Sequence, residues 1–491
     1  MANSVHAGLS IDRQFSYSNT WLHFGLATVA AAMIGVLIAL PSGHPVLLAA
    51  AGCVWFVVWS LLWRPAFFGL FLFLPVAAVP GLLLQQQGWP TLFKDALFLL
   101  PGYVGLTLAL MRTRTFSWPL PAFLTFLLTS LVIVVSFQAF RLLSSVPLVA
   151  LIGLRSWLLY LPLVLVPSYL FDSIRDIRRF FHLLIAVSFV PALIGVLEFG
   201  LIVLGHGDLA YQWYGSLGTS VSQGFAQVGV ADQILVQRVP STFTFVTQFV
   251  AYCLVMTPIC LVVWMSDPSA RWRQVAALAS IAIVAAGFAS GSRTFYAWGP
   301  IEIGLMLVLM NRGRVRTATT VLIAIPVMAF AIGVQLLPIT AYVTGLGWDY
   351  LFKTQAAEFP AVFQVAGFTG VGVGIDTSGS RYVLPSQTLP FGIEGWYALA
   401  FLELGLPGLI LIVCTWLVLL KHVWHLVRTT RDSAAGPIAV CVFVILAATV
   451  INLYKGVSLQ FDPLNVYLWF VVGIALAIAK MRPAGHAETT T

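Results

Sequence analysis

Long apolar stretches alternate along the chain with short polar joints. The apolar runs cover residues 21–40, 46–63, 66–84, 93–111, 119–140, 146–171, 180–204, 241–266, 274–290, 295–311, 317–337, 396–420, 435–454 and 463–480. Most are close to the roughly 17–25 residues that a helix needs to cross a hydrocarbon core, so the pattern predicts about fourteen transmembrane helices. Two joints are longer, residues 205–240 and 338–395, and long loops are where function tends to concentrate. No segment repeats another, and none has the look of a soluble domain. The expected fold is therefore all-α: a polytopic helical bundle forming a single membrane domain over residues 1–491.

Composition agrees with that pattern. Of the 491 residues 60% are hydrophobic and 9% charged, against roughly 25% charged in a soluble protein. A soluble domain of this make-up could not cover its surface with polar groups. Residues 1–20 are polar and lack a basic start followed by a short apolar core, so they do not read as a cleavable signal peptide, and the first run is expected to stay in the membrane. Cys53, Cys253, Cys260, Cys414 and Cys441 all sit inside apolar runs without the paired spacing of a zinc site; they read as small core residues.

Charge adds orientation. One set of alternate joints holds Arg64, Arg112, Arg114, Arg175, Arg178, Arg179, Arg271, Arg273, Arg312, Arg314, Arg316, Lys421, Arg428 and Arg431, and the C-terminal tail adds Lys480 and Arg482. The other set holds only Lys94, Arg141, Arg238, Arg293, Lys353, Arg381 and Lys455. Basic joints stay inside, so both termini are expected in the cytoplasm and the two long loops outside, in the periplasm if the cell is Gram-negative. The net charge of +8 is spread over many short joints and forms no single basic patch, which argues against a nucleic-acid partner.

Three arginines stand out. Arg155 lies well inside the apolar stretch LIGLRSWLLY, where an arginine at the bilayer centre costs about 2.5–3.5 kcal/mol on insertion scales; it either snorkels to the outer surface or has a function. Arg238 and Arg293 lie at outer joints, against the charge rule, and are expected at one depth. An outer loop can carry an arginine without a role, but a guanidinium is a good bidentate partner for phosphate oxygens, and two or three at one interface suit a lipid-linked pyrophosphate. Outer-face acids include Asp208, Asp232, Asp349, Glu358, Asp376, Glu394, Glu403 and Asp462, most of them expected to be solvated. The chain has no Asp-x-Asp pair and no His/Cys cluster, so no metal or other cofactor is expected. The run TGVGVGIDTSG lacks the lysine and flanking elements of a phosphate cradle and reads as a flexible turn.

At these residues the sequence resembles the bacterial O-antigen ligase and polymerase superfamily, integral-membrane glycan polymerases that use polyprenyl-linked donors. RVPSTFTFVTQFVAYCL is similar to that family's Arg-x-x-Gly-Thr-Phe-x-x-Pro-Asn segment, with Arg238 on its arginine and Val246 and Thr247 in place of the proline and asparagine. SGSRTFYAWGPIEIGL is similar to its Ser-x-Ser-Arg segment, with Arg293 on the arginine. GVGVGIDTSG followed by EGWYALAFLELGLPGL is similar to its Gly-x-Gly loop and the helix start after it. There the family's histidine, the proposed base of the ligases, falls on Glu394, and its asparagine on Gly395. An acid at that position is closer to the chain-elongating exopolysaccharide polymerases. The likeness covers roughly residues 151–420.

The resemblance implies a GT-C-like fold and a Wzy-type polymerase in the bacterial inner membrane. Its substrate would be an undecaprenyl-pyrophosphate-linked oligosaccharide, with membrane lipid, a chain-length regulator and export proteins as partners. Arg238 and Arg293 would stabilise the leaving pyrophosphate with Arg155 as a helper, and Glu394 would act as base. The alternatives are an O-antigen ligase with a lipid A core acceptor, a transporter or flippase of lipid-linked saccharide, and a non-catalytic scaffold.

Overall fold

Inside a bilayer, main-chain N–H and C=O groups find no water, so an apolar run has essentially one local solution, the helix. A computed structural model describes residues 45–80, 92–114, 116–212, 227–230, 234–310, 355–377, 383, 393–456, 458–460 and 462–481. The runs predicted at 21–40 and 317–337 lie outside the described residues; each of the others coincides with at least one helix. Seven of the described helices are long and apolar enough to cross a membrane, or eight if one bent pair counts as a span. Three more apolar helices, Thr294–Met310, Gly436–Asn452 and Leu464–Lys480, fall just below that length. The protein is a multi-pass membrane helical protein. Its described strands form one antiparallel hairpin, β1 (Gln227–Val230) with β2 (Ile234–Gln237), inside the first long loop.

Contacts gather the chain into two compact units, 1–73 with 91–117, and 74–90 with 118–491. In the first, α1 (Pro45–Leu61) and α2 (Trp63–Phe73) meet at a sharp bend. Pro65 sits at that bend; it has no N–H to continue the α1 ladder and its ring crowds the preceding turn. A π-helical turn, Asp95–Leu99, leads into α3 (Leu100–Thr113). Lys94, expected in an outer joint, is fully buried there and pairs with Asp95 at 2.9 Å.

The second unit holds every candidate site residue. It runs through α4 (Ala122–Leu143), α5 (Pro147–Leu158), the short α6 (Pro167–Leu170), α7 (Ile174–Val203) and the short α8 (Gly207–Gln212). After the hairpin come α9 (Val246–Ser266), α10 (Ala270–Ala289), α11 (Arg293–Met310), α12 (Gln355–Ala366), α13 (Trp396–Thr429), α14 (Gly436–Asn452) and α15 (Leu464–Lys480). A helix that is apolar on every side belongs in the core, and α9 is that helix: every residue from Val246 to Val263 except Thr247 is buried. It is packed by α7, α10, α11, α14 and α15. The five cysteines are all free thiols.

One predicted span is not straight. The run 396–420 forms the start of α13, but Gly405 has φ 71° and ψ −173°, outside any helical region. Trp396 and Trp416 are twenty residues apart, about 30 Å along a straight helix, yet their ring centroids are 6.3 Å apart. The arm 396–404 therefore folds back along the arm that follows Gly405. Pro407 helps, because it cannot donate across the turn.

Candidate functional site

Arg238 follows β2 and leads into the Val-Pro-Ser-Thr segment before α9. Four hydrogen bonds fix this segment. The N–H of Val239 donates to the Ser290 carbonyl at 3.2 Å, which ties it to the turn before Arg293. The N–H of Ser241 donates to the buried Glu198 carboxylate of α7 at 2.9 Å, and the Ser241 hydroxyl donates to the Pro191 carbonyl at 2.6 Å. Thr242 donates its hydroxyl to the Pro75 carbonyl. Ser241 takes a left-handed φ of 57°, unusual for a residue with a side chain, and the Glu198 and Pro191 contacts hold it there. Arg238 is half-buried and Arg293 opens α11. The two arginine-bearing segments thus meet at one junction.

The glycine-rich loop is packed, not free. Gly370, Gly372 and Gly374 all have left-handed φ, 78°, 113° and 95°, a region where only glycine is at ease. A Cβ on Gly374 would run into the Val149 carbonyl of α5, and one on Gly370 into the Gly405 main chain. The loop closes against the fold-back of α13: Val371 N–H donates to the Leu402 carbonyl at 2.8 Å and Gly372 N–H to the Glu403 carbonyl at 3.1 Å. On the α4 side, Arg141 Nη1 reaches the Gly370 carbonyl at 3.2 Å. In place of the flexible turn expected at TGVGVGIDTSG, its described part, residues 369–377, is a wedge between α4, α5 and α13, built from glycines because the main chains come too close for side chains.

Glu403 sits at the centre of this wedge, fully buried. Most of the outer-face acids are expected to be solvated; this one is not. Its Oε2 accepts from Trp157 Nε1 at 2.7 Å and its Oε1 from the Asp376 N–H at 3.3 Å. It joins α5, the glycine loop and α13.

Glu394 lies two residues before α13 with its side chain exposed. The positions of Glu394 and Gly395 are set by Glu358 of α12, whose two carboxylate oxygens accept their N–H groups at 3.1 Å each. Burial pushes the Glu358 carboxyl above its ordinary value; the two main-chain donors pull it back down and the nearby Glu394 charge adds to the rise. Arg155 is at the end of α5. Its guanidinium donates to the Tyr160 hydroxyl at 2.9 Å and lies 3.7 Å from Asp462. The Arg155 charge thus has partners within the protein.

Between these two residues lies a cleft. Trp157, two residues after Arg155, packs on Trp396, two residues after Glu394, with ring centroids 5.3 Å apart. Trp396 packs on Trp416, and Trp416 on Trp469 of α15 at 5.3 Å. These four rings line one cavity of about 550 Å³, counted with its open mouth.

Arg238 and Arg293 thus share one junction, while Arg155 and Glu394 flank the tryptophan cleft. Sequence reasoning missed Glu198 and the cleft. A lone glutamate inside an apolar run was the available signal for the first. For the second it was the Gly-Leu-Pro-Gly of 405–408, a break inside what reads as a continuous span. No protein-family model matches the chain, and no curated protein matches it significantly.

Proposed function

We propose that the protein is a membrane glycan polymerase of the Wzy type. It transfers a growing saccharide from a polyprenyl pyrophosphate to a hydroxyl of the next lipid-linked repeat unit, at the outer face of the bacterial inner membrane. In this reading the chain has about fourteen spans in a GT-C-like arrangement, with cytoplasmic termini and outer loops at 205–240 and 338–395. The observation that supports it best is the junction of the Arg238 and Arg293 segments, hydrogen-bonded to each other and held by the buried Glu198.

The acceptor oxygen attacks the anomeric carbon, and the bond from that carbon to the pyrophosphate oxygen breaks, the electron pair leaving with the pyrophosphate. Arg238 and Arg293 meet the charge that develops there, and Arg155 supports them. Glu394, exposed at the start of α13, accepts the hydroxyl proton. The arginines supply the positive charge that a metal ion provides in other transferases.

Purified protein in lipid nanodiscs, given a lipid-linked repeat unit, is expected to release polyprenyl pyrophosphate and build a ladder of lipid-linked oligomers. Transbilayer movement of the unit without a ladder would replace this reading with a transporter. Transfer confined to a lipid A core would make the protein a ligase.

A further inference from the structure

We infer that Glu198 is a positioning residue for the pyrophosphate site: it fixes where Arg238 stands by holding the main chain of Ser241. The inference rests on the arginine junction of the polymerase reading and deepens it. A carboxylate inside an apolar span is expensive and marks a function whose partner has to be named. Glu198 lies five residues before the end of α7 and is 4% exposed. Its Oε2 accepts the Ser241 N–H at 2.9 Å.

That contact is one of three on a single face of α7. Pro191, Gly195 and Glu198 stand at i, i+4 and i+7, a spacing that lines them up along a helix. Each serves Ser241. The Pro191 carbonyl accepts its hydroxyl at 2.6 Å, and Glu198 accepts its N–H. At Gly195 a Cβ would lie 2.6 Å from the Phe249 ring and 3.4 Å from the Ser241 Cβ, so the bare glycine lets the segment sit against the helix. Ser241 is held by amide and hydroxyl at once, at a left-handed φ of 57°. It makes a fixed point three residues from Arg238. Val239, the residue after Arg238, is tied to Ser290, three residues before Arg293, so one anchor serves both arginine segments. α7 also grips the far end of this hairpin. There α9 and α10 meet at the Asp267 turn, where His182 of α7 brings Nε2 to 2.7 Å from Asp267 Oδ2 and stacks on Trp272 at 4.0 Å. His182 and Glu198 are about 24 Å apart along a helix, so α7 holds α9 and α10 near both ends. An arginine that meets developing charge works best when it waits in place, and an error of about 1 Å can cost roughly 100-fold.

The test uses full-length protein in nanodiscs, with inorganic pyrophosphate as the probe in titration calorimetry and ladder formation from a lipid-linked repeat unit beside it. Wild type is expected to bind pyrophosphate saturably. Arg238→Ala should weaken binding about tenfold or more, the share of a hydrogen bond to a charged group. Glu198→Met keeps the volume and removes the acceptor, so it should weaken binding about tenfold, and Glu198→Gln, whose amide oxygen still accepts the Ser241 N–H, should recover most of that loss. Added to Arg238→Ala, Glu198→Met should cost nothing further, because an effect passed through Arg238 is not additive with its removal. Wild type without saturable binding, Glu198→Gln as weak as Glu198→Met, or a Met effect of full size in the Arg238→Ala background each overturns the positioning role; the last would mark general structural damage. If Glu198→Met does not reach the membrane, Ser241→Gly decides. It keeps the left-handed turn and frees the hydroxyl tie, so it should weaken binding several-fold, and unchanged binding overturns the inference. Pyrophosphate binding that follows this pattern without a ladder keeps the inference and removes the polymerase. A ladder made at the wild-type rate by Glu198→Met does the reverse.

Discussion

Arg238→Ala and Arg293→Ala are each expected to remove polymer from cells while the protein still reaches the membrane, since the loss of one preorganised donor costs about 100- to 1,000-fold in rate. Arg→Lys at either position keeps the charge but loses the planar fork, and should still impair turnover. Glu394→Gln should bind lipid-linked donor normally and form almost no new linkage; near-normal polymer would take Glu394 out of the mechanism. Glu302 makes a different case. It is buried in α11, its Oε2 has no hydrogen-bond partner among the described residues, and it faces a small cavity with Thr449 and Asn452. Glu302→Met keeps the volume and removes the unpaired polar group, so melting in nanodiscs should rise, by about 1–3 kcal/mol of added stability. A fall would mean that something else fills the cavity and needs the carboxylate. The arginines were legible in the sequence because they break the charge rule. Glu198 and Glu403 were not, because an acid's partner is set by which helix it faces, and single-chain spacing does not give that.

Elements tell the same story one step up. The apolar runs mark most helices within a few residues, because membrane helices need little beyond hydrophobic length. The reversal in α13 escaped, since the arms on both sides of Gly405 are equally apolar and read as one span. The conformation at Gly405 is open essentially to glycine alone, and a Cβ there would meet the Phe368 carbonyl. Gly405→Ala should therefore destabilise the protein by about 3 kcal/mol or more, read as a fall in melting temperature. An unchanged value would mean that the arm does not fold back. The α12 clamp gives a pH signature. Burial raises the Glu358 carboxyl above its ordinary value of 4.5, so the folded chain holds that proton at pH values where the unfolded chain has released it. Stability from this group is complete below the ordinary value and declines as pH rises through the raised one. Melting temperature measured against pH should show that decline, and Glu358→Gln should flatten it.

For the whole molecule, the predicted topology puts the joint at Ser433 inside and the long loops outside. In a cysteine-free background, cysteines at Gln223 and Ser378 should react with an impermeant thiol reagent in intact spheroplasts, and one at Ser433 only after lysis. Labelling of position 433 in sealed cells would reverse the orientation. The membrane class was plain from composition alone. The gathering of the chain into two units was not, because contacts between helices depend on shape rather than on apolar length. The enclosure of α9 has a consequence for how the protein is made. Synthesis runs from the N-terminus, so Val246–Ser266 leaves the ribosome before α14 and α15, which later cover it. In that interval its flanks can face only lipid, and a helix that is apolar on every side can wait there without cost. A chain cut short before residue 436 would insert its helices yet leave α9 without part of its wall, a defect for membrane proteases to find rather than the insertion machinery.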